Sequence, residues 1–138
     1  AEPAAAEALP AGQGRILLVD DEVAVVGMSS KLLERLGYQV VGETSSLEAL
    51  EIFRANPQDF DLVVTDQTMP GMTGEALVRE IKALRADVPI IVCSGLGNRL
   101  TPEAARNLGI AGSLAKPALA DEFARAVQDA LAWRPESD

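Results

Sequence analysis

The stretch that decides the fold reads ILLVDDE and occupies residues 16–22. A run of four apolar residues is typical of a strand that is covered on both faces of a sheet. Two further runs of the same kind follow, LVV at residues 62–64 and IIV at residues 90–92. These three runs predict the central strands of a buried, parallel β-sheet.

Helical patterns separate the strands. Apolar residues recur at helical spacing in four sets, namely Val25, Met28, Leu32 and Leu36; Leu47, Leu50 and Phe53; Leu77, Ile81 and Leu84; and Leu119, Phe123, Val127 and Leu131. A fifth helix is predicted to begin at Thr101, because Pro102 suits the first helical position. Two weaker strands, near Val40 and from Gly112 to Ala115, suit the edges of the sheet.

An alternation of five strands with five helices indicates an α/β domain with a parallel sheet. Strong central runs and weak edge strands favour the strand order 2-1-3-4-5. We therefore expect a flavodoxin-like, doubly wound (βα)5 fold. The expected domain covers residues 15–132, with a linker at residues 1–14 and a C-terminal tail at residues 133–138.

Composition excludes several classes of function. The chain has 138 residues, a net charge of −9 and no histidine. An acidic chain without a basic cluster is not expected to bind nucleic acid. The single cysteine, Cys93, lies in an apolar run and is expected in the core. No stretch has the length of a membrane span or the pattern of a signal peptide, so we expect a cytoplasmic protein without direct membrane contact.

Polar residues directly follow four of the predicted strands. Asp20 and Asp21 follow the first strand, Asp66 the third, Ser94 the fourth and Lys116 the fifth. Ligands of such sheets bind beyond the carboxyl ends of the strands, so these side chains are expected to meet there. Each has a simpler interpretation alone, such as a helix cap or a turn residue. Their coincidence at one edge favours a functional site.

Three neighbouring carboxylates need a cation. Two such charges repel by roughly 4 kcal/mol at about 4 Å and an effective dielectric constant near 20. Oxygen ligands without histidine or cysteine favour Mg²⁺, or Mn²⁺, over zinc. A divalent ion beside an aspartate suits phosphoryl transfer, and an aspartate can accept a phosphoryl group covalently. Ser94 and Lys116 would then contact oxygens of that group.

Four segments together resemble the receiver domain of bacterial response regulators: ILLVDDE at 16–22, VTDQTMPGMTG at 64–74, VCSG at 92–95 and LAKP at 114–117. The resemblance extends from about Arg15 to Leu131. It implies that Asp66 is the phosphoacceptor. The donor would be a phospho-histidine on a histidine kinase or a histidine phosphotransfer domain. The domain would promote its own phosphorylation and dephosphorylation.

The resemblance also implies the metal ligands. Asp21 and Asp66 would bind Mg²⁺ directly, and the backbone carbonyl of Thr68 would be a further ligand. Asp20 would act through a water molecule.

One position departs from the family pattern. Ser94 would be the hydroxyl that moves toward the phosphoryl group, and Lys116 its ammonium partner. Receivers usually carry Tyr or Phe three residues before this lysine, whereas this chain has Ser113. The chain therefore lacks the ring that usually couples the site to the fourth and fifth elements. Gln67, Thr68 and Leu96 flank the site and are expected to tune hydrolysis.

The parent protein can also be predicted. Residues 1–14 are rich in Ala, Glu, Pro and Gly, which is typical of an interdomain linker. A segment of this composition before a receiver resembles the linker between the catalytic domain of a histidine kinase and its C-terminal receiver. We therefore expect the C-terminal receiver of a hybrid sensor kinase. A weak homodimer is a further expectation.

Two other functions share parts of this pattern. A haloacid-dehalogenase-type phosphatase also uses an aspartate after an apolar strand, but it needs a second aspartate two residues later, where this chain has Thr68. A receiver-like module that binds partners without phosphorylation would generally lack an acidic residue or the lysine. All of these are present here, although Ser113 keeps this alternative open.

Overall fold

A computed structural model describes residues 11–95 and 100–135. Its parallel sheet has the order β2-β1-β3-β4-β5, which confirms the predicted topology. The strands are β1 Arg15–Val19, β2 Gln39–Glu43, β3 Leu62–Asp66, β4 Ile90–Ser94 and β5 Gly112–Ala115. Leu96, most of the predicted linker and the last three residues of the predicted tail lie outside the described residues.

Helices cover both faces of the sheet. They are α1 Val23–Arg35, α2 Ser46–Ala55, α3 Gly74–Leu84, α4 Pro102–Leu108 and α5 Ala120–Ala132, and a short 3-10 turn, Pro57–Asp59, precedes β3. None of the helices in the described ranges is long and apolar enough to span a membrane.

Successive residues of each central strand belong alternately to two separate hydrophobic cores, one on each face of the sheet. The first core packs alternate strand residues against α2, α3 and α4, and includes Leu17, Val63, Ile90, Phe53, Leu77 and Ile81. The second core lies under α1 and α5 and includes Ile16, Leu18, Val64, Ile91, Leu33, Phe123 and Val127. Burying one such side chain stabilises the fold by about 1.5–3 kcal/mol. The three central strands are therefore held on both faces, as their continuous apolar runs predict.

Side-chain caps define where the helices begin. The Ser45 hydroxyl accepts a hydrogen bond from the Glu48 amide at 3.2 Å, and the Thr101 hydroxyl accepts one from the Ala104 amide at 3.0 Å. Gly109 ends α4 in the left-handed region at φ +71°, which favours glycine. The cap at Thr101 confirms the start that the sequence predicts for α4.

Three residues that the helical spacing groups with core residues are exposed instead. Met28, Leu47 and Leu119 expose 70%, 55% and 65% of their surface. Helix α1 covers the edge strand β2, where Val26 lies against Gly42, and Leu33 is its buried residue. Helical spacing predicts that a helix has an apolar face, but it does not say which strand that face covers.

The C-terminal end of the described chain packs at the amino ends of the strands. Trp133 follows α5, and its ring centroid lies 4.8 Å from the ammonium nitrogen of Lys82 at the end of α3. The same ammonium donates hydrogen bonds to the carbonyls of Ala86 and Val88. Trp133 also lines a groove with Pro89, directly before β4. The tail is thus attached to the end of the sheet opposite the carboxyl ends.

Candidate functional site

Three carboxylates converge at the carboxyl ends of β1 and β3. Val19 pairs with Thr65 in the sheet, so the residues that follow them, Asp20 and Asp66, lie side by side. One carboxylate oxygen from each of Asp20, Asp21 and Asp66 lies within 4.8 Å of the others. Asp20 and Asp66 are buried, whereas Asp21 is exposed. The predicted acidic cluster therefore exists, with one side open to solvent.

Backbone amides orient the two buried carboxylates. Oδ1 of Asp20 accepts a hydrogen bond from the Glu22 amide at 2.9 Å, and Oδ1 of Asp66 accepts one from the Gln67 amide at 3.0 Å. The Thr65 hydroxyl donates to the Asp66 carbonyl at 3.0 Å. Hydrogen bonds to a carboxylate favour its ionised form and fix its direction.

Lys116 reaches into this cluster from the far edge of the sheet. Its ammonium nitrogen lies 3.0 Å from Oδ2 of Asp20 and 3.4 Å from Oδ1 of Asp66. Burial alone would lower the pKa of Lys116, but the hydrogen bonds and charges of Asp20 and Asp66 together outweigh it, so its pKa is raised. The ammonium is therefore charged at neutral pH and lies beside the predicted phosphoacceptor.

The surroundings of Asp66 disfavour its ionised form. Burial and the neighbouring Asp20 carboxylate raise its pKa, and they outweigh the ammonium of Lys116 and the Gln67 amide. A carboxyl group with a raised pKa is one whose ionised form lacks full compensation. This electrostatic state, together with an all-oxygen donor set, fits a site for a divalent cation.

Ser94 and Thr68 border the cluster. Ser94 is buried as the last residue of β4, and its carbonyl accepts a hydrogen bond from the Lys116 amide at 2.8 Å. This bond joins the two residues predicted to contact the transferred group. Thr68 is exposed in the loop between β3 and α3, two residues after Asp66. All the predicted site residues therefore lie at the carboxyl ends of the strands.

Sequence reasoning missed an apolar groove beside the cluster. The groove lies between α1 and α5, has a volume of about 170 Å³, and is lined by Asp66 and Lys116 together with Met28, Leu114 and Phe123. The groove could not be predicted because the spacing of Met28 indicates a position in the core, whereas Met28 is exposed and lines the groove. An apolar surface therefore borders the charged site.

Cys93 and Ser113 occupy neighbouring strands. Burial, reinforced by the Asp66 carboxylate, raises the pKa of the Cys93 thiol to about 12. A thiol with that pKa is not a nucleophile near neutral pH. The sequence predicts a core position for Cys93, which is half-buried against the second core. Ser113 is exposed on β5, paired with Val92.

The chain matches the model of the response regulator receiver domain over residues 16–128. The chain belongs to this family. Its fold is thus that of a receiver domain, a signalling module of two-component systems.

Curated relatives place the receiver domain in several kinds of protein. This chain is 38% identical over 109 residues to the two-component response regulator ARR14 of Arabidopsis thaliana, and the match covers 79% of this chain and 28% of ARR14. It is 36% identical to the sensor kinase CckA of Brucella abortus, covering 87% of this chain and 13% of that kinase. It is 34% identical to the chemotaxis protein CheY of Bacillus subtilis, covering 85% of this chain and 97% of CheY. This chain thus spans only a small part of the length of ARR14 and of CckA.

A solved structure supports the same assignment. The receiver domain resembles a response regulator receiver domain protein from Clostridium thermocellum with a TM-score of 0.81 and 33% identity, covering 86% of this chain and 94% of that one. The flavodoxin-like topology predicted from the sequence is therefore shared with a solved receiver domain.

Proposed function

We propose that Asp66 accepts a phosphoryl group from a phospho-histidine and that the modified domain signals to a partner or a neighbouring domain. The observation that carries this proposal is the convergence of three carboxylates with Lys116 within 3.4 Å of Asp66. In the transfer, an oxygen of the Asp66 carboxylate forms the new bond to phosphorus. The bond from phosphorus to the histidine nitrogen breaks, and the imidazole leaves.

A divalent cation, Mg²⁺ or Mn²⁺, forms part of the proposal. Asp21, Asp66 and the carbonyl of Thr68 would hold it directly, and Asp20 would act through a water molecule. When bound, such an ion neutralises charge on the transferring phosphoryl group. The oxygen-only donor set of the three carboxylates supports this fit, and so does the pKa of Asp66, which burial and the Asp20 carboxylate raise.

The remaining residues act on the phosphoryl oxygens. Lys116 lies beside Asp66, which supports a role in which its ammonium would pair with an oxygen of the attached group. Ser94 would donate its hydroxyl hydrogen to a second oxygen. The Lys116 amide donates a hydrogen bond to the Ser94 carbonyl, so a movement of Ser94 toward the phosphoryl group would also move the loop after β5. Ser113 supplies no aromatic ring for the further coupling that is usual in the family.

The partner in this proposal is a histidine kinase or a histidine phosphotransfer domain. The apolar groove between α1 and α5 opens beside Asp66, which gives such a partner a surface next to the acceptor. A hybrid sensor kinase remains the parent that we propose, supported by the likeness to the sensor kinase CckA. The same proposal places residues 15–132 as one cytoplasmic receiver domain with no contact to nucleic acid or membrane.

Intact mass after incubation with acetyl phosphate and Mg²⁺ tests the assignment of Asp66. The wild type should gain the mass of one phosphoryl group, and the gain should disappear when Mg²⁺ is chelated. Asp66→Asn should abolish it. Asp129→Asn, which alters an exposed aspartate on α5, is the matched control and should be modified like the wild type.

Other outcomes would point to the alternatives. A folded wild type that gains no phosphoryl group and binds no beryllofluoride would favour a binding module. Sustained turnover of p-nitrophenyl phosphate that is lost in Asp66→Asn would favour a phosphatase.

A further inference from the structure

Gly74, the first residue of α3, lies against the backbone of the proposed phosphoacceptor. It is buried, and a Cβ placed on it would overlap the Asp66 carbonyl oxygen and approach Cα of Gln67 to 2.8 Å. Real Cβ atoms do not come that close to backbone atoms. Gly74 is not among the glycines with positive φ, so close packing rather than an unusual backbone angle demands glycine here.

Hydrogen bonds connect this contact to the Asp66 carboxylate. The Gly74 amide donates to the Gln67 carbonyl at 2.9 Å. The Gln67 amide in turn lies 3.0 Å from Oδ1 of Asp66 and 2.8 Å from the Cys93 carbonyl. The Gln67 peptide is therefore held between the start of α3 and the acceptor side chain, and Thr68 is the next residue along.

Helix α3 has little freedom to yield. The Thr73 hydroxyl caps it by accepting a hydrogen bond from the Ala76 amide at 3.2 Å. Leu77, Val78 and Ile81 of α3 are buried in the core. Moving the helix outward would expose apolar side chains, so a side chain at position 74 would displace the loop after Asp66 instead.

We propose that Gly74 is a positioning residue for the phosphorylation site. The missing side chain lets α3 begin close enough to Asp66 to hold the Gln67 amide on the carboxylate and to set the position of the Thr68 carbonyl. This inference rests on the proposed metal-dependent function of the cluster. It assigns Gly74 a role in the affinity for the divalent ion, apart from any role in folding.

Calorimetric titration of Mg²⁺ into the unphosphorylated wild type, Gly74→Ala and Gly112→Ala tests the proposal. Gly112 lies on β5, where an added Cβ would meet no atom within 4 Å, so its substitution is the matched control. Gly74→Ala should weaken Mg²⁺ binding by roughly 10- to 100-fold, as the loss of outer contacts to a metal site does. Gly112→Ala should bind like the wild type. The titrations are made well below the melting temperature of each variant, where a loss of stability alone leaves the affinity unchanged.

Wild-type affinity in a folded Gly74→Ala would overturn the proposal. If Gly74→Ala does not fold, amide hydrogen exchange in the wild type decides. Mg²⁺ should then slow exchange at Gln67 and Gly74 while leaving Gly112 unchanged, and equal rates with and without bound Mg²⁺ would overturn the proposal. If the wild type binds Mg²⁺ but takes no phosphoryl group, the proposed function fails while the positioning role of Gly74 is still measured.

Discussion

The ammonium nitrogen of Lys116 lies 3.0 Å from Oδ2 of Asp20, 96 residues earlier in the chain. Lys116 follows the edge strand β5, and Asp20 follows β1, with β3 and β4 lying between these strands. The ion pair therefore joins one edge of the sheet to its centre. It also sets a cation beside the carboxylates that would bind a divalent metal.

Lys116→Met should separate metal binding from phosphorylation. Removing a positive charge beside the carboxylates should tighten Mg²⁺ binding by about fivefold, or about 1 kcal/mol. The rate of phosphorylation by acetyl phosphate at saturating Mg²⁺ should fall by about tenfold or more, because the ammonium beside Asp66 is lost. Calorimetry and intact mass measure the two effects. Lys31→Met, on the exposed surface of α1, is the control and should change neither.

Asp66→Asn should stabilise the metal-free fold in a pH-dependent way. Burial and Asp20 raise the pKa of Asp66 above its ordinary 3.8, so the folded state binds this proton more readily than the unfolded chain. The ionised carboxylate therefore lowers the free energy of unfolding at neutral pH. In urea denaturation without divalent ions, the variant should be more stable than the wild type near pH 7. The difference should shrink as the pH falls toward 3.8, and a constant difference would contradict the argument.

Arg85→Met should destabilise the fold far from the site. Nη1 of Arg85 donates to the carbonyls of Pro57 and Phe60 at 3.1 and 2.6 Å, and its side chain is only 16% exposed. Leaving these carbonyls without their donor should cost about 2 kcal/mol in urea denaturation. Arg125→Met removes an exposed ion pair with Asp121 and should change stability by less than about 0.5 kcal/mol. Equal effects of the two substitutions would refute a structural role for Arg85.

Two glycines should respond to alanine in opposite directions. Gly27 lies inside α1 with open space around it, so Gly27→Ala should stabilise the fold by about 0.5–1 kcal/mol. Gly37 has φ +110°, and a Cβ there would overlap the carbonyl of Gly12. Gly37→Ala should therefore cost about 1–3 kcal/mol. Thermal melting of both variants measures the two shifts, and stabilisation by Gly37→Ala would be inconsistent with this backbone geometry.

Much of the fold could be predicted because its signals are local. Continuous apolar runs identify the central strands, and the rule that ligands bind at carboxyl strand ends brings together Asp20, Asp66 and Lys116. The topology and the family assignment are confirmed. The individual roles of these side chains stay predictions that the mass and calorimetric experiments address.

The parts that could not be predicted depend on distances between elements. Helical spacing predicts that Met28, Leu47 and Leu119 lie in the core, but the position of each helix over the sheet leaves them exposed. The importance of Gly74 rests on how closely α3 approaches β3, which no residue pattern states. The groove beside Asp66 likewise exists because α1 and α5 lie at a particular separation.

The contact between Lys82 and Trp133 decides what the protein's intrinsic fluorescence can report. Trp133 is the only tryptophan of the chain, and it lies at the end of the sheet opposite the acidic cluster. Its emission is therefore a local probe of how firmly the C-terminal tail is attached. Metal binding confined to the cluster should leave the spectrum unchanged. A shift of the emission spectrum on phosphorylation would mean that a structural change at the carboxyl ends of the strands extends to their amino ends.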